Sequence, residues 1–414
     1  MRNVVFVAPY FLDTTLRFVA AVASLDGVRV GLISREPEER LPDELRRRLA
    51  GHWRLDDPTN VVELSAGTRA LARHLGSVER LLGVLEQIQE PLGAVRDALA
   101  IPGTSAEVAR RFRDKALMKT ELARAGLPCA VHRLARSAGE ARDFAARVGY
   151  PLVVKPPAGA GAKSTHRLDD ESDLGEALEI FGPSPAEPVL LEEFLRGAEH
   201  SFDSLSIDGE RLWYSVSRYL PSPLEVLETP WIQWCVLLPR ELDQAEYGDI
   251  RRAAFAALDV LGLETGLSHM EWFRRDDGRL AISEVAARPP GARITDLLSW
   301  CHDADFYRLW AQLMVWGEVE LPERRWAVGA AYLRGLGRGQ VAEIEGWSEV
   351  SAELGDLVVE ARLPTIGQAA AEGYEGEGCV IVRHRETSTV EVALRRIVSG
   401  VRVVLSEDVA EGGA

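Results

Sequence analysis

Residues 266–291 read GLSHMEWFRRDDGRLAISEVAARPPG, and this stretch decides the fold. It contains two runs rich in apolar residues, separated by Asp277-Gly278, a dipeptide that strongly favours a two-residue type I′ hairpin loop. If these two residues form the loop, the register places Glu271 directly opposite Glu284. The stretch therefore predicts an antiparallel hairpin on which two carboxylates face each other.

Opposed side chains on one sheet face have Cβ atoms about 5 Å apart, and two like charges there are destabilising. We therefore expect a cation between Glu271 and Glu284. Mg²⁺ suits this position, because it accepts one or two protein carboxylates and completes its shell with water and nucleotide phosphates. The same register places His269 on the carboxylate face and Arg288 just past the strand end. The alternative is an exposed hairpin with solvated acids, but the apolar Trp272 argues for burial.

Lysine is rare in this chain: of 48 basic residues only four are lysines, at positions 115, 119, 155 and 163. Arginine serves where only positive charge matters, so the remaining lysines indicate sites that need a compact ammonium group. Chance combined with a GC-rich genome is the alternative. Lys155 ends a buried-strand pattern, where an unpaired ammonium is costly, and is therefore predicted to contact a phosphate.

A loop of small residues over 158–165 includes Lys163 and offers backbone amides that can cover phosphates. Its spacing is not that of a Walker A loop, and a plain flexible turn is the alternative. A further run over 189–199 begins as a strand and then leaves regular structure, with acids at 192, 193 and 199. Backbone groups at such a hinge can contact an adenine edge and a carboxylate can accept ribose hydroxyls. Solvated loop acids are the alternative.

The N-terminal residues predict a βαβ start with a buried parallel sheet, from the apolar runs 3–9 and 28–33 and a helical pattern between them. The first strand-to-helix turn contains no glycine, so it does not fit a dinucleotide site. A further helical stretch is expected over 66–99.

Three domains are expected from the changes of pattern along the chain. Residues 1–103 form an α/β nucleotide-fold unit, and residues 104–318 form an α+β unit with a second hairpin signal at Asp208-Gly209. Residues 319–414 form a small β-rich domain.

Composition excludes several classes of protein. The formal net charge of −16 repels nucleic acid over most of the surface. The longest apolar runs fall far short of the roughly 20 residues of a membrane span, and no signal-peptide pattern is present, so we expect a cytoplasmic protein. Four cysteines stand far apart without a CxxC pair, which excludes a disulfide framework or zinc site.

Taken in order, these pieces resemble the ATP-grasp superfamily over nearly the whole chain, and within it the L-amino-acid ligases, or dipeptide synthetases. The resemblance implies a Rossmann-like preATP-grasp domain, an ATP-grasp domain and a C-terminal domain of the ligase branch. It rests on Arg113-Asp114-Lys115, the strand ending at Lys155, Glu192-Glu193-Phe194-Leu195, His269-Met270-Glu271 and Glu284-Val285-Ala286-Ala287-Arg288.

The resemblance also implies the role of each site residue. Lys115, Lys155 and Lys163 belong to the phosphate site; Glu192, with backbone groups of Glu193 and Leu195, to the adenine site; Glu199 to the ribose site; Glu271 and Glu284 to the metal site; and Arg288 to the transition state. His269 stabilises an oxyanion or is structural. Many members carry Asn where this chain has Ala286, which leaves open whether one or two metal ions bind.

The implied reaction joins a small-molecule carboxylate to an amine, both expected to be amino acids, through an acyl phosphate made from ATP with Mg²⁺ or alternatively Mn²⁺. Trp231 and Trp234 are candidates for a substrate pocket, and burial in the core is the alternative. An ATP-grasp carboxylase, a ligase with another nucleophile and a non-catalytic ATP-binding protein are the alternatives. A homodimer is left open, since related enzymes often dimerise.

Overall fold

Strands and helices alternate along the chain, and a computed structural model describes them for residues 1–159, 165–229, 232–242, 245–371 and 373–406. The strands are β1 Arg2–Val7, β2 Val28–Ser34, β3 Gly51–Arg54, β4 Arg80–Leu82, β5 His132–Ala135, β6 Leu152–Lys155, β7 His166–Leu168, β8 Val189–Glu193, β9 Gly197–Ile207, β10 Glu210–Leu220, β11 Trp234–Leu238, β12 Gly266–Arg275, β13 Leu280–Ala286, β14 Ala327–Leu333, β15 Gly335–Leu336, β16 Gln340–Glu345, β17 Val358–Arg362, β18 Gly378–His384 and β19 Arg402–Ser406.

The helices are short. They are α1 Asp13–Ala23, α2 Asp43–Arg48, α3 Val61–Leu75, α4 Gln89–Leu99, α5 Ala106–Arg113, α6 Lys115–Arg124, α7 Ala138–Val148, α8 Glu171–Phe181, α9 Pro223–Glu228, α10 Gly248–Leu261, α11 Ile294–His302, α12 Phe306–Trp316, α13 Trp347–Leu354 and α14 Thr387–Gly400. Short 3₁₀ turns lie at Glu38–Arg40, Glu86–Ile88, Ala245–Tyr247 and Gly355–Leu357. Within the described ranges, no helix is both long and apolar enough to cross a membrane.

The N-terminal part contains a four-stranded parallel sheet in the order β3-β2-β1-β4. Most residues of β1 and β2 are buried, as a parallel sheet requires, so the predicted βαβ start is confirmed. The expected continuous helix over 66–99 is wrong. Helix α3 ends at Leu75, Gly76 has a φ of +94°, and β4 pairs with β1 before α4 begins. A strand as short as Arg80–Leu82 has too few residues for its periodicity to distinguish strand from helix.

A second, antiparallel sheet has the order β5-β8-β6-β7. Helices α7 and α8 bury their apolar side chains against it, including Phe144 and Leu174 from the helices and Val154 and Leu191 from the strands. This packing fixes β6 and β8 next to each other. Lys155 at the end of β6 therefore pairs with Leu190 near the start of β8, and its ammonium reaches the Glu192 side chain two residues further along β8.

The largest sheet has eight strands among the described residues, in the order β13-β12-β9-β10-β11-β14-β18-β17. It crosses the predicted boundary at residue 318, because β14 pairs with β11 on one side and with β18 on the other. Helix α14 packs on β14 through Val390 and Leu394. The expected mixture of α/β and α+β structure is confirmed, while the three domain boundaries stay predictions.

Candidate active site

The β12–β13 hairpin brings the two predicted metal ligands together. Glu271 pairs with Glu284 in the antiparallel ladder, as the sequence predicts. The expected two-residue loop is wrong: the Arg275 N–H donates to the Arg279 carbonyl at 2.8 Å and Gly278 has a φ of +81°, which gives a three-residue loop. A β-bulge next to Glu271 absorbs the extra residue. The carboxylate pairing is therefore as predicted although the loop is not.

The bulge follows from what the back of the hairpin must bury. Ser283 has no partner in the ladder. Ile282 and Val285, which are three residues apart, can therefore both point into the core. They pack there with Trp272, which is 1% exposed, and with side chains of α6 and α10. The alternative of an exposed hairpin is thus wrong. The simpler turn at Asp208-Gly209 forms as predicted, with Ile207 paired to Glu210.

The two carboxylates differ in their charged neighbours. Glu284 forms an ion pair with Lys115, the first residue of α6. Burial alone raises the pKa of Glu284, but Lys115 and the neighbouring cations outweigh burial and lower the pKa to about 2. Glu271 has its Oε1 at 3.8 Å from Nε2 of His269. Both carboxylates border the same cavity.

This donor set fits Mg²⁺, which takes oxygen ligands and commonly only one or two carboxylates from a protein. Over the part of the chain that the structure describes, no three His, Cys, Asp or Glu side chains surround one metal position. An ion held by Glu271 and Glu284 would need water and nucleotide phosphates to complete its shell.

Two lysines contact Glu192, one at each of its carboxylate oxygens. Lys155 Nζ donates to Oε2 of Glu192 at 3.0 Å, and Lys119 Nζ lies 3.3 Å from Oε1. Burial raises the pKa of Glu192, but the two ammonium groups reverse that effect and lower the pKa. Lys119 also donates to the carbonyl of Ser283 at 2.7 Å, so it ties α6 to the β-bulge. The pKa of Lys155 is raised because Glu192, Glu284 and Glu271 outweigh burial.

Arg288 is held by a residue from the other end of the chain. Its Nε donates to Oε2 of Glu86, which lies in the 3₁₀ turn after β4 and is 7% exposed. Its Nη1 donates to the carbonyl of Pro289 at 2.8 Å. Burial lowers the pKa of Arg288, but Glu86 and Glu284 raise it further than burial lowers it. The N-terminal part therefore supplies a positioning contact to the site.

His269 lies between two carboxylates. Its Nδ1 is 2.7 Å from Oδ1 of Asp203 on the neighbouring strand β9, and Ser201 Oγ donates to the other Asp203 oxygen at 3.0 Å. Burial lowers the pKa of His269, but Asp203 and Glu271 raise it to about 9. The imidazole is therefore cationic at neutral pH.

The hinge after β8 already uses some of the groups predicted to contact adenine. The Glu193 N–H donates to the carbonyl of Val131 at 2.9 Å, and the Glu193 carboxylate is 3.3 Å from Arg275. Leu195 is buried with Phe273. Glu199 pairs across the sheet with Phe273, and burial together with Glu271 raises the pKa of its carboxyl well above the ordinary value.

One cavity of about 510 Å³ connects these side chains. The predicted site residues that border it are Lys115, Lys155, Glu192, Glu193, Leu195, Glu199, His269, Glu271, Glu284 and Arg288. Trp234 borders it as well. Lys163 and Trp231 lie outside the described residues. The structure therefore places the predicted site residues that it describes around a single cavity, with four basic and five acidic side chains drawn from distant segments.

Comparison with known proteins identifies the fold of this chain. Residues 114–201 match the family model of the carbamoyl-phosphate synthase L chain, ATP binding domain. The structure superposes on an L-amino acid ligase from Bacillus licheniformis with a TM-score of 0.78 at 18% identity, covering 98% of this chain and 99% of the ligase. This chain has the ATP-grasp fold. N5-carboxyaminoimidazole ribonucleotide synthetase from Thermotoga maritima also superposes, with a TM-score of 0.72 at 15% identity over 98% of this chain and 100% of the synthetase.

This chain aligns with less than two thirds of the length of the curated relatives it matches. An L-arginine-specific L-amino acid ligase of Bacillus subtilis is 25% identical over 260 residues, which is 60% of this chain and 62% of the relative. The carbamoyl phosphate synthase large chain of Mycobacterium sp. (strain JLS) is 27% identical over 57% of this chain and 21% of the relative. The relatives of this chain therefore include both an amino acid ligase and a carbamoyl phosphate synthase.

Three residues that contact the site residues were given no role in the sequence analysis. Lys119 was open to detection, because it lies four residues after Lys115 and one helical turn places both on the same side of α6. Asp203 had a weaker signal, an acid within a strand that is otherwise buried. Glu86 had none, since only the folded chain brings it to Arg288, about two hundred residues away.

Proposed function

We propose that this chain is an ATP-dependent carboxylate-amine ligase that forms an amide, and specifically a peptide, bond through an acyl-phosphate intermediate. The observation that carries the proposal is the opposition of Glu271 and Glu284 on one hairpin, with Lys115, Lys155 and Arg288 around the same cavity. The L-amino acid ligases among the relatives and structural neighbours support the choice of an amine as nucleophile.

The proposed first step transfers the γ-phosphoryl group of ATP to a substrate carboxylate and releases ADP. Catalysis of such a step consists mostly of positioning and charge stabilisation. Lys115 and Lys155 neutralise the phosphates that are not transferred, and Glu271 and Glu284 hold Mg²⁺. When bound, Mg²⁺ supplies Lewis-acid stabilisation of phosphate oxygens.

In the proposed second step, the substrate amine attacks the acyl carbon to give a tetrahedral intermediate, which collapses to the amide as the C–O bond to phosphate breaks and the amine proton passes to the departing phosphate. Arg288 meets the negative charge that develops on the transferred group, and Glu86 keeps the guanidinium in place. His269, cationic and fixed by Asp203, stabilises the oxyanion of the tetrahedral intermediate.

The test is phosphate release from ATP and Mg²⁺, screened over pairs of the twenty amino acids and followed by mass spectrometry. We expect pair-dependent release and a product one water lighter than the two acids together. A folded Glu284→Ala variant should lose amide formation, and near wild-type turnover by it would contradict the metal assignment. Bicarbonate-dependent ADP release without any amide would favour a carboxylase instead. ATP binding without turnover would favour a non-catalytic protein.

A further inference from the structure

One wall of the cavity is formed by the short helix α9 and the residue before it. Ser222, Pro223, Leu224, Glu225 and Glu228 border the cavity. A helix of six residues is not stable in isolation. The hydroxyl of Ser222 caps its first turn and accepts the Glu225 N–H at 3.3 Å. The last carbonyl groups of a helix need partners from outside it. The position of this wall therefore depends on what contacts the C-terminal end of α9.

The side chain of Arg334, the residue after β14, supplies a partner at that end. Its Nη1 donates to the carbonyl of Val226 at 2.7 Å and to the carbonyl of Ile232 at 3.1 Å. Val226 lies in the last turn of α9, and Ile232 lies just before β11. A positive charge at the C-terminal end of a helix also interacts favourably with the helix dipole. Arg334 therefore joins α9 to the start of β11.

The backbone of Arg334 is itself fixed by a neighbouring side chain. The amide of Gln233 donates to the Arg334 carbonyl at 2.9 Å and accepts the Arg334 N–H at 2.6 Å. Gln233 directly precedes β11, and the ladder of β11 with β14 ends at the pair of Trp234 and Tyr332. The side chain of Gln233 thus continues the contact between the two strands beyond their last pair. The guanidinium of Arg334 therefore extends from a backbone that is held in place.

The residues on either side of Arg334 hold a second wall of the cavity. The Leu333 carbonyl accepts the Glu377 N–H at 2.8 Å, and the Gly335 N–H donates to Oε2 of Glu377 at 2.6 Å. The other carboxylate oxygen of Glu377 accepts the Ala371 N–H at 2.8 Å. Tyr374, which borders the cavity, lies between Ala371 and Glu377 in the chain. The end of β14 is therefore the point at which the α9 wall and the Tyr374 loop are joined.

Helix α9 also lies near the small antiparallel sheet. Glu228 in α9 and Arg167 on β7 both border the cavity. Burial raises the pKa of the Glu228 carboxyl, and the nearby charge of Arg167 opposes that rise. The Arg167 guanidinium lies over the ring of Phe194, 4.6 Å from its centroid, at the hinge that follows β8. A displacement of α9 would therefore change the cavity between the eight-stranded sheet and the small sheet.

We propose that Arg334 is a positioning residue that holds α9 as a wall of the cavity, so that the acyl phosphate meets the amine rather than water. Arg334 acts through α9 and not by contact with the reacting atoms. This inference rests on the proposed ligase function, because that function supplies the acyl phosphate. Closed walls protect reactive intermediates of this kind from hydrolysis.

The first measurement requires no turnover. Hydrogen exchange followed by mass spectrometry compares the amides of residues 226–228 in the unmodified chain and in Arg334→Met. We expect exchange there to be about tenfold faster in the variant, with helix α7 unchanged, because the end of α9 loses its partner. The matched control is Arg338→Met, an exposed arginine four residues further along the chain. Equal exchange of α9 in Arg334→Met and Arg338→Met would overturn the inference.

The second measurement is the ratio of phosphate released to amide formed, with ATP, Mg²⁺ and the amino-acid pair found by screening. Loss of folded protein lowers both products equally, so this ratio does not report stability. In Arg334→Met the ratio should rise about threefold or more, and the KM for the amine should rise as well. Arg334→Lys should lie closer to the unmodified chain, because lysine keeps the charge and can donate to a carbonyl. An unchanged ratio in Arg334→Met would overturn the inference.

A second variant keeps the inference open to refutation if Arg334→Met does not fold. Gln233→Leu removes the two hydrogen bonds to the Arg334 backbone and keeps the guanidinium, so both the exchange of α9 and the product ratio should change in the same direction but less. No change in either quantity would overturn the inference.

The two proposals fail in different ways. Absence of amide from the unmodified chain with every pair would refute the ligase function, while the exchange measurement would still decide whether Arg334 holds α9. Amide formation with the same product ratio in Arg334→Met would refute the role of Arg334 and leave the ligase function standing.

Discussion

Replacement of Lys119 by methionine tests how the nucleotide side of the site is joined to the hairpin. The Lys119 side chain is 0% exposed and its ammonium reaches the Ser283 carbonyl at 2.7 Å and Glu192 at 3.3 Å. Methionine keeps a similar length and volume, so the cavity contribution is small. The loss consists of a charge-assisted hydrogen bond, about 1.5–3 kcal/mol, and a carbonyl left unpaired, about 1–3 kcal/mol.

Removal of a buried ammonium also relieves its cost of desolvation, which is the effect that lowers the pKa of Lys119. Glu192 keeps Lys155 as a partner at 3.0 Å, so no buried charge is left without a counterion. We therefore expect Lys119→Met to lower the free energy of unfolding by about 3 kcal/mol, below the sum of the separate losses. A weaker affinity for ATP should accompany it, because the bulge before Glu284 loses its anchor.

Urea denaturation followed by tryptophan fluorescence measures this difference. The matched control is Arg124→Met on the same helix, where the side chain is 72% exposed and pairs only with Glu121. That substitution should cost less than about 1 kcal/mol. If the free energies of unfolding of Lys119→Met and Arg124→Met lie within about 1 kcal/mol of each other, the contact between Lys119 and the bulge does not stabilise the protein. That result would refute the reasoning.

Three further predictions test separate parts of the structure. The pKa of Glu284 is lowered from 4.5 to about 2, so its ionisation stabilises the fold above pH 4.5 and that contribution, about 3 kcal/mol, is lost as the pH falls through 2. Acid denaturation of Glu284→Gln should therefore depend less on pH in this range, and identical profiles would contradict the shift. Asp203→Asn should lower the pKa of His269 from about 9 towards its usual 6.5, as followed by NMR of the imidazole, and an unchanged pKa would argue against the ion pair. Gly197→Ala should cost at least about 2 kcal/mol, because φ is +136° and an added Cβ would lie 2.1 Å from a carbonyl oxygen. Gly175→Ala, inside α8 with open space around it, should instead stabilise by about 0.5–1 kcal/mol, and similar melting temperatures for the two variants would refute this explanation.

The hairpin shows why much of the site was predictable from sequence. Alternation along a strand forces His269 and Glu271 onto one face whatever loop follows, and the apolar Trp272 fixes which face is buried. The loop was predicted wrongly because Asp-Gly also fits a three-residue turn, in which the Asp277 side chain accepts the Arg279 N–H at 3.0 Å. The predicted pairing of Glu271 with Glu284 is nevertheless correct, because the bulge at Ser283 compensates for the one-residue change in register that the longer loop introduces.

Contacts between distant segments were beyond sequence reasoning. Periodicity describes one element at a time, so it gives no reason to connect Glu86, in a turn near the N-terminus, with Arg288. The same holds for Tyr374, which reaches the cavity from a loop between β17 and β18. The strand pattern of residues 319–414 was visible in the sequence, but not that β14 would extend the sheet that contains the β12–β13 hairpin.

The continuous eight-stranded sheet limits how this chain can be engineered. Exchange of the C-terminal segment with that of another protein would cut the β11–β14 ladder, which has five paired positions from Trp234 to Leu238. A chimera joined at the linker before β14 would expose the edge of β11 and invite aggregation. Exchange of the loop that carries Tyr374 would instead leave the ladders intact, because its ends lie on the already paired strands β17 and β18.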